Sequence, residues 1–352
     1  MEHYPLITLG IPIYNAADLV RRTLLSALDQ TYPNIEYLFV DDKGNSMDVV
    51  RSVVEAHPRR KAVRIIDQGT NQGIAAARNA IVDNAAGEFL FTMDCDDVIS
   101  CRCIELLYRA MEQTPVDFVA ASFVRCDLQG NEYPGCRFED KLIEGDGHPV
   151  ALYRYGQNGK LFVAAWNKLY KVDFLRHYNI RCQPGHQNED PWFTYQVIMN
   201  ARSCRLLPDV TLRYTCNPDS VSGISASCGY SEQTARQYLE VQQLKAAYIR
   251  PFAAEPFYRA LLADILFMGF YHAFRVAESD RIGKGVKSEL IRALLSLSLL
   301  RPACGGGGKA TVRYRVLCAF HRLPFGCRCG VVRVAGWVHS AGWGRRWLHF
   351  KN

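Results

Sequence analysis

In the stretch Phe91-Thr92-Met93-Asp94-Cys95-Asp96-Asp97-Val98 an apolar run drives straight into three carboxylates within four positions. Burying that much negative charge without partners costs several kcal/mol per ion, on the order of the penalty for any unpaired buried charge. Such a cluster is either solvated at the end of a strand or neutralised by a cation. Hard divalent cations, Mg²⁺ and Mn²⁺, take carboxylate oxygens and commonly bridge to a substrate phosphate. A second reading fits the tetrad alone: a turn in which Asp97 caps the helical run from Cys101 onward. The surrounding chain has to separate the two.

Upstream, Leu6 to Ile13 is an apolar, β-rich run ended near Pro12. Asn15 then stands as the expected cap of a helix from Ala16 to Gln30, with Leu19, Leu24, Leu25 and Leu28 on or near one face. Ile35 to Val40 reads as a second strand ending in Asp41-Asp42, Ser46 to Ala56 as a helix, and Ala62 to Ile66 as a third strand. After the polar turn Asp67 to Gly73 come an Ala-rich helix, Ile74 to Ala86, and the strand Glu88 to Met93. Strands alternating with helices at this spacing predict an α/β fold with a mostly parallel, doubly wound sheet. In such sheets ligands bind outside the carboxyl ends of the strands. Those ends carry Pro12-Ile13-Tyr14-Asn15, Asp41-Asp42, Asp67 with Asn71, and Asp94 to Asp97, so acidic groups gather on one rim. No Gly-x-Gly-x-x-Gly follows the first strand and no Gly-Lys-Ser/Thr loop occurs, which removes a dinucleotide or P-loop phosphate cradle. A diphosphate would instead depend on a metal and on groups such as Arg78.

Downstream the chain is less regular. Asp117 to Arg125 and Leu206 to Thr215 are strand candidates, and Gly145 to Gly159 reads as a mobile connection near a substrate. Tyr230 to Arg301 is largely helical, and Cys304-Gly305-Gly306-Gly307-Gly308-Lys309 has the composition of a linker. These breaks divide the chain into residues 1–225, a helical extension 226–303 and a tail 304–352.

The apolar fraction of 49% and charged fraction of 22% belong to a globular chain and exclude a disordered one. The net charge of +7 is unevenly placed. From Arg301 onward stand ten Lys or Arg and no acid, leaving 32 of the 42 basic residues against all 35 acidic ones. Met1-Glu2-His3-Tyr4-Pro5 lacks a basic region followed by an apolar core, so no secretion signal is expected. The best membrane-span candidate, Phe257 to Phe274, is interrupted by Arg259, Asp264 and His272. Thirteen cysteines without a secretion signal fit reduced thiols in a cytoplasm. Cys101-x-Cys103 and Cys327-x-Cys329 lack the second pair that a zinc finger needs.

Six segments occur in order: Pro12-x-Tyr14-Asn15, Asp41-Asp42, Asn71-x-Gly73-x-x-x-Ala77-Arg78-Asn79, Asp94-x-Asp96-Asp97, Trp166-Asn167-Lys168 and Glu189-Asp190. As a set, spanning Leu6 to Ser222, they resemble a family 2 glycosyltransferase of the GT-A fold. The resemblance implies a nucleotide-sugar donor, a divalent cation (Mn²⁺ or Mg²⁺) and inversion at the anomeric carbon. It assigns Pro12, Tyr14, Asn15, Asp42, Asn71, Arg78 and Asp94 to the nucleotide, and Asp94 with Asp96 to the metal. Asp190, beside Glu189, matches the catalytic base, while Trp166, Lys168 and Asp97 fall near the donor or acceptor sugar.

Each piece also has a plainer reading. Glu189-Asp190-Pro191 is a good helix start, with acids in the first turn and proline at N1. Trp166 suits a core as well as a sugar platform, and Lys168 could be solvated. The tail pairs its charge with aromatics, among them Trp337, Trp343, Arg345, Arg346, Trp347, His349, Phe350 and Lys351. That mixture suits an anionic membrane surface, on the inner face of the cell membrane, that delivers a lipid-linked acceptor. The competing readings of the tail are nucleic-acid contact, which is not expected, and an irregular tail that packs on the body. The sequence therefore reads as a cytoplasmic, peripheral-membrane, metal-dependent inverting glycosyltransferase of the hexosyltransferase type, using a UDP-sugar. Its acceptor would be a saccharide or lipid-linked saccharide in surface polysaccharide biosynthesis. The alternatives are a metal-dependent nucleotidyltransferase and a non-catalytic carbohydrate-binding protein with the same fold.

Overall fold

The structure is a computed structural model and describes residues 4–218, 220, 223, 229–297 and 312–340. The chain divides into two compact units: residues 1–151 with 162–217, and residues 152–161 with 218–352.

The first unit is an α/β layer built on one sheet. Its opening half alternates as expected: β1 (Ile7–Ile13), α1 (Val20–Leu28), β2 (Ile35–Asp41), α2 (Met47–Ala56), β3 (Val63–Asp67), α3 (Ile74–Asn84) and β4 (Phe89–Thr92). Then follow β5 (Val98–Ile99), α4 (Cys103–Gln113), β6 (Phe118–Cys126), β7 (Glu132–Cys136), β8 (Lys141–Glu144), β9 (Lys168–Lys171), α5 (Val172–His177), α6 (Asp190–Asn200) and β10 (Ser203–Thr215). The sheet order is β3-β2-β1-β4-β9-β6-β10-β5, with β7 beside β6 and β8 beside β10. β3, β2, β1 and β4 are mutually parallel, as are β6 and β10. β9 is inserted antiparallel between β4 and β6.

Every residue of β1 is buried, as a strand covered on both faces requires. A Cβ on Gly10 would come within 2.3 Å of Ile81 Cγ2, so α3 lies directly on β1 because that position has no side chain. Leu9, Ile11, Val20, Leu24, Phe39, Phe91, Ile104 and Leu107 join one core cluster under the sheet. Fully burying each such side chain contributes roughly 1.5–3 kcal/mol.

Several expected boundaries differ. The first helix begins at Val20, with Leu19 at its N-cap, and not after Asn15. Asn15 sits at φ 44°, a left-handed turn that asparagine tolerates, and its Oδ1 accepts the Asn45 N–H at 3.2 Å. Asp97 does not cap a helix either: α4 starts at Cys103 behind Arg102. The Gly145 to Gly159 connection contains the helical turns Pro149–Ala151 and Leu152–Gly156, with Val150, Ala151 and Tyr155 buried.

The second unit is helical: α7 (Glu232–Tyr248), α8 (Tyr258–Glu278), α9 (Lys284–Ser296), α10 (Val312–Arg322) and α11 (Phe325–Ser340). Among the described residues α8 is the one helix long and apolar enough to cross a membrane. Its Leu261, Leu262, Ile265 and Leu266 are buried within this unit, and Ala273, Phe274 and Val276 join a core with Leu290, Leu294 and Val332. The Cys304 to Lys309 linker and the tail residues Trp343 to Lys351 lie outside the described residues.

Candidate functional site

The carboxyl edge of β1, β2 and β4 gathers the predicted groups. β4 ends at Thr92, and Asp94, Asp96 and Asp97 follow in the turn before β5. One carboxylate oxygen from each of the three lies within 4.8 Å of the others. The turn is held from two sides. Arg22 Nη2 donates to the Asp96 carbonyl at 3.2 Å and Thr23 Oγ1 to the Cys95 carbonyl at 3.0 Å, both from α1. From β10, Thr215 Oγ1 donates to the Asp96 carbonyl at 2.6 Å, and Thr215 N to Asp97 Oδ1 at 2.8 Å. Arg22, Thr23 and Thr215 were invisible in the sequence, because no local pattern marks a side chain that bonds a carbonyl about 70 to 120 positions away.

Crowded, half-enclosed carboxylates resist ionisation. Burial, reinforced by the neighbouring Asp94, pushes Asp96 up to about 7. Asp97 is fully buried and moves well above the carboxylate range through burial, Asp96 and Asp94. Its Oδ2 is buried with no hydrogen-bond partner among the described residues. An all-oxygen donor set with surplus negative charge and an unpaired buried oxygen fits a hard divalent cation.

Arg78 ties this cluster to the second acidic pair. Its side chain, on α3, is buried; Nη2 donates to Asp94 Oδ1 at 2.6 Å and Nε to Glu189 Oε1 at 2.8 Å. Its Nη1 is buried and unpaired among the described residues. The motif residues Asp94, Arg78 and Glu189-Asp190 thus converge on one place, although 111 positions separate Arg78 from Glu189.

Glu189 and Asp190 do open a helix, α6, with Pro191 in its first turn, yet neither side chain caps it. Glu189 turns to Arg78. Asp190 Oδ1 accepts the Ala165 N–H at 2.8 Å, and its Oδ2 bonds nothing within the described residues. Burial, with the adjacent Asp190 charge, pushes Glu189 up to about 8 despite Arg78. Asp190 is also raised, by burial, while Arg78 pulls the other way. An anchored carboxylate with one open oxygen and a raised pKa has the form of a general base.

Around Ala165 the chain is pinned tightly. Its carbonyl accepts from Thr92 Oγ1 at 3.2 Å and Tyr170 Oη at 2.9 Å. Lys168 is not solvated: it is 1% exposed, its Nζ lies 3.6 Å from the Phe162 ring centroid and donates to the Ala164 carbonyl. Burial lowers its pKa to about 7. Trp166 is buried too, stacked on Tyr214 at 5.4 Å and Phe162 at 5.3 Å, with Phe123 edge-on at 4.8 Å. Trp166 and Lys168 are thus enclosed by their own neighbours, whereas Asp97 adds an oxygen to the acidic cluster. Asn167, at φ 55°, donates Nδ2 to the Ala121 carbonyl at 2.9 Å and accepts from Thr211 Oγ1 at 2.7 Å, which fixes the turn between them.

The nucleotide side is assembled from short loops. Pro12 is buried in β1 opposite Val40, whereas the Tyr14 ring is 48% exposed at the strand end. A Cβ on Gly44 would meet the Asn15 backbone nitrogen at 2.4 Å, so the loop after β2 packs closely on Tyr14 and Asn15. Asp42 is buried and binds the chain's own loop: Oδ1 accepts from Gln68 Nε2 at 2.7 Å and Gln72 N at 2.6 Å, and Oδ2 from Gly73 N at 3.0 Å. Gly73 sits at φ 86°, a conformation glycine adopts freely, which lets that loop enter α3. Asn71 is exposed on the same loop. Asp42 thus holds the Asn71 loop in place.

Known proteins resemble this chain in sequence and in fold. Residues 8–178 match the sequence profile of Glycosyl transferase family 2. An uncharacterized glycosyltransferase of Haemophilus influenzae is 33% identical over 130 residues, 36% of this chain and only about half (51%) of that protein. The uncharacterized glycosyltransferase EpsJ of Bacillus subtilis is 24% identical across 66% of this chain and 68% of its own length. Among solved structures, S. aureus TarS 1–349 in complex with UDP-GlcNAc superposes with a TM-score of 0.69 at 17% identity, over 96% of this chain and 92% of that one. The mannosyltransferase PcManGT from Pyrobaculum calidifontis, in complex with GDP-Man and Mn²⁺, gives a TM-score of 0.52 at 18% identity, over 97% and 88%. Both likenesses are likenesses of fold: a mostly parallel sheet flanked by helices, the GT-A type. With the acidic strand ends and the Arg78 bridge on that fold, residues 8–178 of the chain form a family 2 glycosyltransferase domain.

Proposed function

We propose that the protein transfers a sugar from a nucleotide-sugar, a UDP-sugar, to a hydroxyl of a saccharide or lipid-linked saccharide, with inversion at the anomeric carbon. One observation carries the proposal. Arg78 joins Asp94 to Glu189, so the acidic turn and Asp190 serve one site.

Asp96 and Asp94 would hold Mn²⁺ or Mg²⁺, and the bound cation would offset the charge that develops on the leaving diphosphate. The acceptor oxygen attacks the anomeric carbon as its proton passes to Asp190 Oδ2. The bond from that carbon to the diphosphate oxygen breaks, and its electron pair leaves with the diphosphate. The Ala165 N–H holds the other oxygen of Asp190, which fixes the base in direction. Tyr14, Asn15 and Asn71, at the rim, would meet the nucleoside, with Pro12 and Asp42 shaping the loops that carry them. Trp166, Lys168 and Asp97 would act by positioning.

The donor reading is supported by TarS, which is solved with UDP-GlcNAc, and the metal reading by PcManGT, solved with Mn²⁺. The ten basic residues from Arg301 onward support a peripheral seat on an anionic membrane surface, on its cytoplasmic face, where a lipid-linked acceptor for a surface polysaccharide would be met. A thermal-shift panel of nucleotide-sugars with and without Mn²⁺, followed by a transfer assay, tests the function. Metal-dependent stabilisation by a UDP-sugar together with release of UDP is expected. Diphosphate release from a nucleoside triphosphate in its place would assign a nucleotidyltransferase.

A further inference from the structure

We propose that the outward faces of α10 and α11 are the surface by which this protein seats on an anionic lipid bilayer. The inference rests on the membrane reading above and assigns the residues that make the contact.

On α10 and the residue after it, Arg315, Val316, Arg322 and Leu323 recur at i, i+1, i+7 and i+8, which is one helical face, and all are exposed. Tyr314 and Leu317 on the same helix are buried. On α11, Val331 and Val334 stand one turn apart with Arg333 beside them, exposed, while Val332 is fully buried. Val316 and Val334 are each 61% exposed, and no large apolar side chain among the described residues is more open. Neither helix contains an acidic residue.

Exposed aliphatic groups set among arginines, with no acid between them, match one partner chemistry best. The aliphatic side chains enter the headgroup boundary while the guanidinium groups lie on lipid phosphates. A second copy of the same face would bring arginine against arginine with nothing to neutralise it, because a two-fold contact pairs a patch with itself. A nucleic acid would take the arginines but leave Val316, Val331 and Val334 without use. Arg333, though exposed, also donates Nη2 to Ser288 Oγ at 3.4 Å, whereas Arg328 turns inward and donates to the Leu295 carbonyl at 2.8 Å.

The test is sedimentation of the full chain with vesicles of phosphatidylcholine alone and of phosphatidylcholine with phosphatidylglycerol. Salt-sensitive pelleting with the anionic vesicles only is expected. R315A/R322A/R333A should lower partitioning on the order of a hundredfold, since each basic group at such a surface contributes about fivefold. V316S/V331S/V334S should weaken it independently, and it serves as the second test should the arginine variant fold poorly. Both should keep the wild-type urea midpoint and transfer to a soluble acceptor. If the full chain ignores anionic vesicles, the membrane reading itself falls and this surface with it. If the full chain pellets and both variants pellet equally well, the membrane reading stands and this assignment is overturned. Release from vesicles by a short DNA duplex would overturn it as well, in favour of a nucleic-acid surface.

Discussion

Asp190 Oδ1 takes the Ala165 backbone N–H at 2.8 Å, across 25 positions of chain. An asparagine at 190 can accept the same bond but cannot take a proton from an acceptor hydroxyl. Asp190→Asn should therefore fold normally, with a melting temperature close to the wild type. Its kcat should fall by roughly 10²–10⁴, the usual contribution of a positioned general base. Single-turnover kinetics beside a melting curve checks both halves. A wild-type rate in Asp190→Asn would remove Asp190 from the chemistry.

The same residue should set the acid side of the pH profile. Burial raises its pKa above the ordinary carboxylate range, and it must be unprotonated to act. The transfer rate should thus rise with pH through that raised value and level off above it. Arg78 is the strongest influence holding the value down. In Arg78→Met the rise should move to higher pH. A kcat/KM profile unchanged by that substitution would detach the two residues.

Arg78→Met should also be costly to the fold. Arg78 is buried against two carboxylates, Asp94 and Glu189. Removing it leaves Glu189 enclosed without a cation, and breaking such a pair from one side costs about 3–5 kcal/mol. Urea denaturation above about pH 8, where Glu189 is ionised, measures it. Because protonation of Glu189, already pushed up to about 8, relieves the repulsion, the deficit should shrink as the solution is acidified.

Much of this was legible in the sequence, and the part that was not has a physical pattern. β1 through β4 and their helices follow local periodicity, so their order was readable. The start of α1 was misplaced because Asn15 spends its side chain on Asn45 and its φ of 44° on a turn. β9 escaped notice as a strand: four residues long, it owes its existence to pairing with β4 and β6, not to any alternation of its own. The motif pieces were visible as residue types, but the bridge that unites them is a long-range contact of one buried arginine. Likewise Lys168 and Trp166 gave no sign of depth, since a single aromatic and a single lysine carry no burial signal.

Metal binding has its own readout. Mn²⁺ that binds only the folded chain raises its stability by about 2.7 kcal/mol at a hundred times its dissociation constant. Asp94, Asp96 and Asp97 offer oxygens within 4.8 Å of one another, so the wild type should show this shift and lose it with a chelator. Asp96→Asn removes one charged ligand and should abolish most of the shift without lowering the metal-free melting temperature, because a crowded, half-enclosed set of repelling carboxylates loses one charge. An Mn²⁺ response of equal size in Asp96→Asn would place the cation elsewhere.

Lys168 makes a stability prediction of opposite sign to that of the carboxylates. Burial lowers its folded pKa to about 7 from the ordinary 10.5. Between those values the unfolded chain holds a proton that the folded chain has released. The wild type should therefore gain stability as pH rises from about 7 toward 10.5, by up to about 1.4 kcal/mol per pH unit from this group. Lys168→Met keeps most of the buried volume and removes the titration. The difference in urea midpoint between the two proteins should drift toward the wild type across that window and stay flat below it. The same substitution releases the Ala164 carbonyl, next to the amide that orients Asp190, so kcat should fall while KM for the donor moves little. A pH-independent difference in midpoint would mean that Lys168 stays charged, held by the Phe162 ring and the Ala164 carbonyl against the cost of its burial.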